Sequence, residues 1–513
     1  MKEEQRVFLA FILALFVIIL FSFNQQKQRQ VPVPQQPERI ASETEFHPVA
    51  AGTGESVSAE TVVFSGQTIS FGNDLYSGEI DPLGGKIVSF GLLQYRRPGE
   101  KIFSFFDHGT FLSDAFPDRS EEILYTNGHA EAGNASLVGK CEGLELIKVL
   151  GVTKGKYTWD FAFIIKNNAK EAAQLHQITL SLGTYALGHS QDQGIPEILI
   201  LHGTGAPAKV NPARILKEKI VGTTAIMRTR FQMYCFTFSA PVEFLVENTG
   251  TRHSPSFAIR AVLPDATLAP GSTQTFNIKG YIGPSDYFIA RSEISDLRVY
   301  GTGPFAAMGR ILFRWLQGIH KVIPNWGWAI IFLTLLIKLA FFPLTRNGLR
   351  SMKNLQKLRP YLQDIQKKYK ENPQMMQKEM MALYKEYKIN PLGGCLPSLI
   401  QFPIFIGFFL ALRNSVYLRG SHFALWIRDL SMPDTVAHAG PIPINLLPIV
   451  MFVTSFFQQK MMPQPEAQQK MLNYLLPIFM LYIFYNFSSG LLLYWVTMNI
   501  AGLIEQYYIA KKT

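Results

Sequence analysis

Apolar runs long enough to cross a bilayer most limit what this chain can be, because in hydrocarbon only helices and closed barrels satisfy every backbone amide. A spanning helix takes about 20 apolar residues, with about 17 as the lower limit. Residues 7–23 form an unbroken run of that minimal kind. No comparable run follows until Trp326. Residues 328–344 are then apolar except for Thr334 and Lys338, and residues 396–412 follow with Gln401 inside. A fourth run covers 442–457. Residues 471–509 are too long for one span and divide at Ser488-Ser489-Gly490 into two, joined by a tight turn. The expectation is one span at the N-terminal end and five crowded at the C-terminal end. A cleavable signal peptide would finish in small residues, but the first run finishes Phe21-Ser22-Phe23-Asn24, so an uncleaved signal anchor is expected.

Composition agrees with a chain part soluble and part embedded: 48% of residues are hydrophobic, yet the mean hydropathy is only +0.10. The formal net charge of +11 could serve nucleic acid, anionic lipid or cytoplasmic loops, and its distribution decides. Between Arg346 and Leu396 stand eleven Lys and Arg against four Asp and Glu, a local excess of +7. Lys460 and Lys470 mark another loop, and Lys511 and Lys512 mark the C-terminal tail. The positive-inside rule puts these segments in the cytoplasm, which leaves residues 24–325 outside and the N-terminus inside. The charge is then topological, and no nucleic acid is expected.

Residues 25–60 are rich in Gln, Pro, Glu and Ser, the composition of a linker. From about Thr61 short alternating segments are punctuated by Gly-Asn-Asp, Asp-Pro-Leu-Gly-Gly and Lys-Asn-Asn, a pattern that predicts an antiparallel sandwich. No catalytic constellation appears: Gly84-Gly85-Lys86 lacks the upstream Gly of a phosphate loop, and the histidines show no metal spacing. Neither an enzyme nor a cofactor is expected. Cys141 and Cys235 are read as two buried thiols in preference to a disulfide. Phe305, Met308, Ile311, Leu312, Trp315, Leu316 and Ile319 recur at helical spacing, which predicts an amphipathic helix on the outer membrane surface, the alternative being a helix packed on the sandwich.

Lys338 carries the sharpest functional signal. A Lys near the centre of a span costs about 2.5–3.5 kcal/mol on insertion scales, and such residues usually face a polar cavity. Thr334 lies one turn earlier on the same face. Gln401, then Thr454 and Gln458, then Trp495, Asn499, Gly502 and Gln506 add polar or aromatic positions at helical spacing on other runs. Together they predict a wet groove; ordinary interhelical glue explains the lone Gln and Thr residues equally well. No acid occurs deep within any run, and Glu505 belongs near the cytoplasmic end, so Lys338 is expected to be solvated by water and not by a counter-ion. In the basic loop, residues 347–369 and 375–387 read as two helices with apolar seams, an antiparallel hairpin. Met375, Met376, Met380 and Met381 suit an adaptable contact surface there, or the packing of the seams.

Several motifs then stand in order: Phe342-Pro343-Leu344-Thr345, Met380-Met381-Ala382-Leu383-Tyr384, Asn390-Pro391-Leu392-Gly393-Gly394-Cys395-Leu396-Pro397, Gln401-Phe402-Pro403-Ile404-Phe405, Phe423-Ala424-Leu425-Trp426-Ile427 with Asp429-Leu430, and Ser489-Gly490-Leu491. From Trp326 to the C-terminus the chain resembles the YidC membrane protein insertases of the Oxa family, in the Gram-negative form with a large periplasmic domain. The resemblance implies a multi-domain protein of the bacterial inner membrane: an N-terminal signal-anchor helix (1–24), a flexible periplasmic linker (25–60), a periplasmic antiparallel β-supersandwich (61–283), a linker with an amphipathic interfacial helix (284–325), and an insertase core (326–513). The core has five transmembrane helices, at 326–345, 396–416, 442–459, 471–488 and 490–509, with a cytoplasmic helical hairpin at 346–390. It would enclose a groove open to cytoplasm and lipid. The implied clients are nascent membrane proteins, and the implied partners the Sec translocon, the ribosome, targeting machinery and the bilayer. The groove cation of the family is typically Arg and falls on Lys338, Thr334 matches another groove position, and Trp495 matches an aromatic contact position. Lys keeps the charge but loses the planar fork. Two readings from other classes stand beside this one: a secondary transporter of a small anion with Lys338 as its site, and an envelope protein whose β-domain binds a sugar or a partner.

Overall fold

The computed structural model describes residues 68–512 except 102, 105–111, 117–122, 132–133, 187–196, 204, 211–216, 251–255, 295–299, 301–303, 388–395 and 462–466. The expected signal anchor, the linker and the Asn390–Cys395 motif lie outside the described residues.

Period-two alternation builds the first half. In Asn134–Cys141 every second side chain is buried, and Thr158–Asn167 repeats the pattern, as a sheet with one face on a core requires. Twelve strands form one antiparallel sheet. Its centre is the 17-residue strand Gln232–Asn248, which serves two neighbours in turn. Residues 232–238 pair with Thr273–Pro284, whereas residues 243–248 pair with Ser256–Val262. The partner changes across Ala240-Pro241, and Pro241 has no amide to give to a ladder. The facing strand Lys217–Arg228 shifts register between Gly222 and Thr224 at the same level. A bend there sends the strand from one layer to the other. A smaller four-stranded sheet of Ile69–Gly72, Tyr76–Asp81, Lys86–Leu92 and Phe103–Ser104 shares its core, with Tyr76 and Phe90 buried alongside Trp159, Phe163, Tyr234 and Phe244. Lys148 ties the two sheets: its ammonium donates to the carbonyls of Gly84 (2.7 Å) and Leu112 (2.8 Å) and pairs with Asp114 at 2.5 Å. Cys141 and Cys235 are buried thiols and form no disulfide.

Nine helices follow among the described residues: α1 (Tyr287–Ala290), α2 (Pro304–Val322), α3 (Trp326–Lys357), α4 (Arg359–Lys368), α5 (Pro373–Glu386), α6 (Leu396–Arg413), α7 (Leu446–Met461), α8 (Ala467–Phe484) and α9 (Ser489–Lys512). A second apolar core lies among them, drawing on α2, α3, α6, α7, α8 and α9. Among the described residues one segment, Trp326–Met352, is long and apolar enough to cross a membrane, and Gln401–Arg413 and Leu475–Phe484 are shorter apolar stretches.

Three sequence expectations need correction. The first hairpin arm was expected to begin near Asn347, but α3 continues unbroken through Pro343 to Lys357. A Pro in a helix interior removes one hydrogen bond and strains one turn, and here the helix carries on through it. The run at 442 does not begin a helix: Ile442–Asn445 is a strand paired with Thr435–Ala439, and α7 starts at Leu446. Asp434 sets that start by accepting from the Leu447 amide at 2.6 Å, as a carboxylate at a helix N-terminus does. Finally, α2 is not simply laid on a surface. Leu312, Phe313 and Leu316 are buried among the helices, while Ile311, Trp315 and Val322 stay exposed. Its backbone closely approaches α6 at a pair of glycines: a Cβ on Gly309 would sit 2.8 Å from the Gly407 carbonyl oxygen.

Candidate functional site

Lys338 sits on α3 among Phe332, Leu335, Leu336 and Leu339, all of them exposed apolar side chains. A helical stretch such as residues 326–345, with this much apolar surface and one cation, is suited to lipid on one side and a polar recess on the other. The recess is a small, part-open cleft of about 10 Å³, room for about one water, between α3, α6 and α9, lined by Ile337, Lys338, Phe341, Leu344, Thr345, Gln401, Ile404 and Met498. It is apolar apart from Lys338, Thr345 and Gln401. The Gln401 amide turns to α9, 3.5 Å from the Met498 sulfur.

The expectation of a cation without a counter-ion is overturned. Lys338 Nζ lies 3.2 Å from Glu505 Oε2, and only 12% and 11% of the two side chains are exposed. Gln458 of α7 packs against α9 beside this pair, at Gly502, where α9 has no side chain. A Cβ there would sit 2.4 Å from Gln458 Nε2 and 3.6 Å from Lys338 Nζ. Asn499, Gly502 and Glu505 follow at intervals of three, so one face of α9 brings Gln458 of α7 and Lys338 of α3 together. Gln506, one position on, is buried, and its Oε1 has no hydrogen-bond partner.

The other predicted positions separate into distinct settings. Thr334 is fully buried, and its hydroxyl donates back to Ile330 O at 2.6 Å, so it faces packing and not open space. Thr454 donates to Val450 O (2.8 Å) and accepts from Asn499 Nδ2 (3.1 Å), which also donates to Ser455 Oγ at 2.7 Å. That set is an interhelical polar clasp between α7 and α9. Trp495 meets Phe405 edge-on (4.7 Å between ring centres) and Phe484 at a tilt (4.9 Å). In the hairpin Met376 is buried, Met380 half-buried, and Met375 and Met381 exposed. The seams therefore use Met376 for packing and leave Met375 and Met381 to solvent. Sequence reasoning weighed Glu505 as a partner and set it aside for its place near the end of the run, and it did not single out Ser455 or Thr345 as site residues.

The family model described as 60Kd inner membrane protein matches residues 318–513. A membrane protein insertase YidC of Herminiimonas arsenicoxydans is 30% identical, across 96% of this chain and 93% of its own length. Another, from Geobacter sulfurreducens, is 40% identical over 249 residues, 48% of this chain and 45% of that protein. A solved structure of a YidC insertase with its first transmembrane domain resolved covers 87% of this chain at 19% identity and a TM-score of 0.38. With a relative at that identity matched along nearly the full length of both chains, this chain belongs to the family of YidC membrane protein insertases.

Proposed function

We propose that the chain inserts nascent membrane proteins into the bacterial inner membrane, and that it does so without catalysing a covalent reaction. The domain plan is the one set out above with its corrected helix ends: α3, α6, α7, α8 and α9 are five membrane-spanning helices, both termini are cytoplasmic and residues 25–325 are mostly periplasmic. The positive excess after α3 supports that orientation. Work alone or beside the Sec translocon, and delivery by ribosome or targeting machinery onto the exposed methionines of the hairpin, complete the reading.

The observation that carries it is the recess at Lys338, a nearly buried cation in a helix segment long and apolar enough to cross a membrane. A client's short polar segment enters from the cytoplasm, where Lys338, Gln401 and Thr345 replace part of its lost hydration. Crossing then costs less than it would in bare hydrocarbon. The client's apolar segment moves into lipid, and its burial there drives the step. The anion-transporter reading is weaker, because Glu505 already neutralises the cation such a site would use. The test is insertion of a small single-span client in cells depleted of their native insertase. Lys338→Ala is expected to lower insertion at least several-fold and Lys338→Arg to retain it. Full insertion with Lys338→Ala would remove the recess charge from the mechanism.

A further inference from the structure

We infer that Glu505 is a tethered counter-ion that sets which clients this insertase accepts, an inference that rests on the proposed insertion role of the recess. The geometry is that of an exchangeable pair. One Glu505 oxygen meets Lys338 Nζ at 3.2 Å, a single contact longer than a tight charge-assisted bond. An Arg fork would hold the same carboxylate through two bonds, whereas an ammonium is a point charge that can turn to another acceptor. Both side chains are nearly nine-tenths buried, so neither charge is much screened by solvent, and the two largely cancel each other's field. An acidic client segment arriving in the cleft therefore meets a dipole and must displace Glu505 to reach the ammonium. A neutral polar segment meets Gln401 and Thr345 and has no carboxylate to displace. The space over Gly502 is taken by the Gln458 side chain, whose Nε2 lies 2.4 Å from where a Cβ would stand, so a second acceptor approaches Lys338 Nζ from the cleft side.

The consequence is a bias against acidic translocated segments that is encoded in α9 and absent from α3. The experiment uses the full chain in liposomes and two clients with the same apolar span, one with a neutral and one with a triply acidic translocated tail. Glu505→Gln keeps the shape and removes the charge. It is expected to raise insertion of the acidic client on the order of tenfold relative to the neutral one. Lys338→Ala in the Glu505→Gln background is expected to abolish that gain, because the gain arises from a released cation. Glu505→Asp, one methylene shorter, is expected to give a smaller gain of the same sign and serves if the Gln variant folds poorly. Equal changes for both clients, or a fall in both together with the melting temperature, would make the pair a structural strut and overturn the inference. Wild-type protein that inserts neither client overturns the insertase reading itself. Wild type that inserts both, with no client-specific gain in the variants, overturns only the role of Glu505.

Discussion

Buried charge is met in three different ways in this chain. Lys148 has a carboxylate and three carbonyl oxygens; Arg419 has Glu100, the Tyr95 carbonyl and the face of Phe103, 3.6 Å away. Among the described residues the Asp286 carboxylate is met by backbone amides alone, those of Phe288 (2.9 Å) and Ile289 (3.3 Å), whose helix α1 it caps. Burial therefore pushes the Asp286 carboxyl above its ordinary range, and the two amide bonds pull it only part of the way back. The sign follows from linkage. A carboxyl raised in the folded state is protonated there more readily than in the unfolded chain, so its ionisation weakens the fold as pH climbs from about 4, the unfolded value. Asp286→Asn keeps an acceptor for the cap and removes the charge. It is expected to raise the melting temperature of the detergent-solubilised protein at pH 8, with the advantage gone below about pH 3.5. Asp286→Ala loses the cap, a cost of about 1 kcal/mol that is expected in full below about pH 3.5 and partly offset at pH 8, where the buried charge is removed too. An Asn variant less stable than wild type at pH 8 would refute the assignment.

At the level of elements, the glycines of α2 give opposite outcomes on one helix. Gly309 lies against Gly407 of α6, where an added Cβ would meet the Gly407 oxygen at 2.8 Å, whereas Gly318 has nothing within 4 Å. Gly309→Val is expected to destabilise by about 1–3 kcal/mol through overpacking. Gly318→Ala, in the same helix, is expected to stabilise by up to about 1 kcal/mol by restricting the unfolded chain. Thermal unfolding of the two single variants decides it, and effects of equal sign would mean that α2 does not seat on α6 in this way. This seat also shows what could be read in advance. Helical spacing of Leu312 and Leu316 announces an apolar face, but the partner of that face is a tertiary fact, and a pair of glycines about 100 residues apart carries no local signal. The short alternating segments after Thr61 were legible as strands because alternation is a local consequence of a half-buried sheet. The bend in Gln232–Asn248 was not, since it exists only to reconcile two layers. In the candidate site, Lys338 and Gln401 were legible as polar residues in apolar runs. Glu505 was misjudged because periodicity fixes a residue's face and says nothing of its height against a neighbouring helix.

Across the whole molecule, the β-domain and the helices meet at a charged seam. Arg419, in the segment after α6, is only 5% exposed. It grips both oxygens of Glu100 at 2.8 and 2.9 Å and the Tyr95 carbonyl at 2.7 Å. Arg97 Nε reaches Asp429 at 2.6 Å, and Arg230 donates to the carbonyls of Arg413 (2.7 Å) and Ser431 (3.0 Å). Gly420 has a φ of +67°, and an added Cβ would lie 2.8 Å from the Arg96 carbonyl oxygen, so the two segments are in near contact. Val416 completes the joint as a member of the β-domain's apolar core. The seam does not stop there. Ser489 Oγ donates to the carbonyls of Asp429 and Met432, and the Gly490 amide donates to Leu430 O at 2.9 Å, which anchors the N-terminus of α9 to the same turn. Burial would raise the Glu100 carboxyl, but Arg419 and then Arg97 outweigh it and hold it below the usual range. A depressed carboxylate contributes its stability above about pH 4.3 and loses it as pH falls through the lowered value, so the seam should hold at neutral pH and loosen only in acid. Glu100→Lys sets like charges face to face at any pH. It is expected to speed amide exchange in 413–434 and at 489–492 together, several-fold or more, while the strand core at 232–238 keeps its protection. Faster exchange in 413–434 alone would mean that the β-domain touches the helices without bracing α9, the helix that carries Glu505 to Lys338.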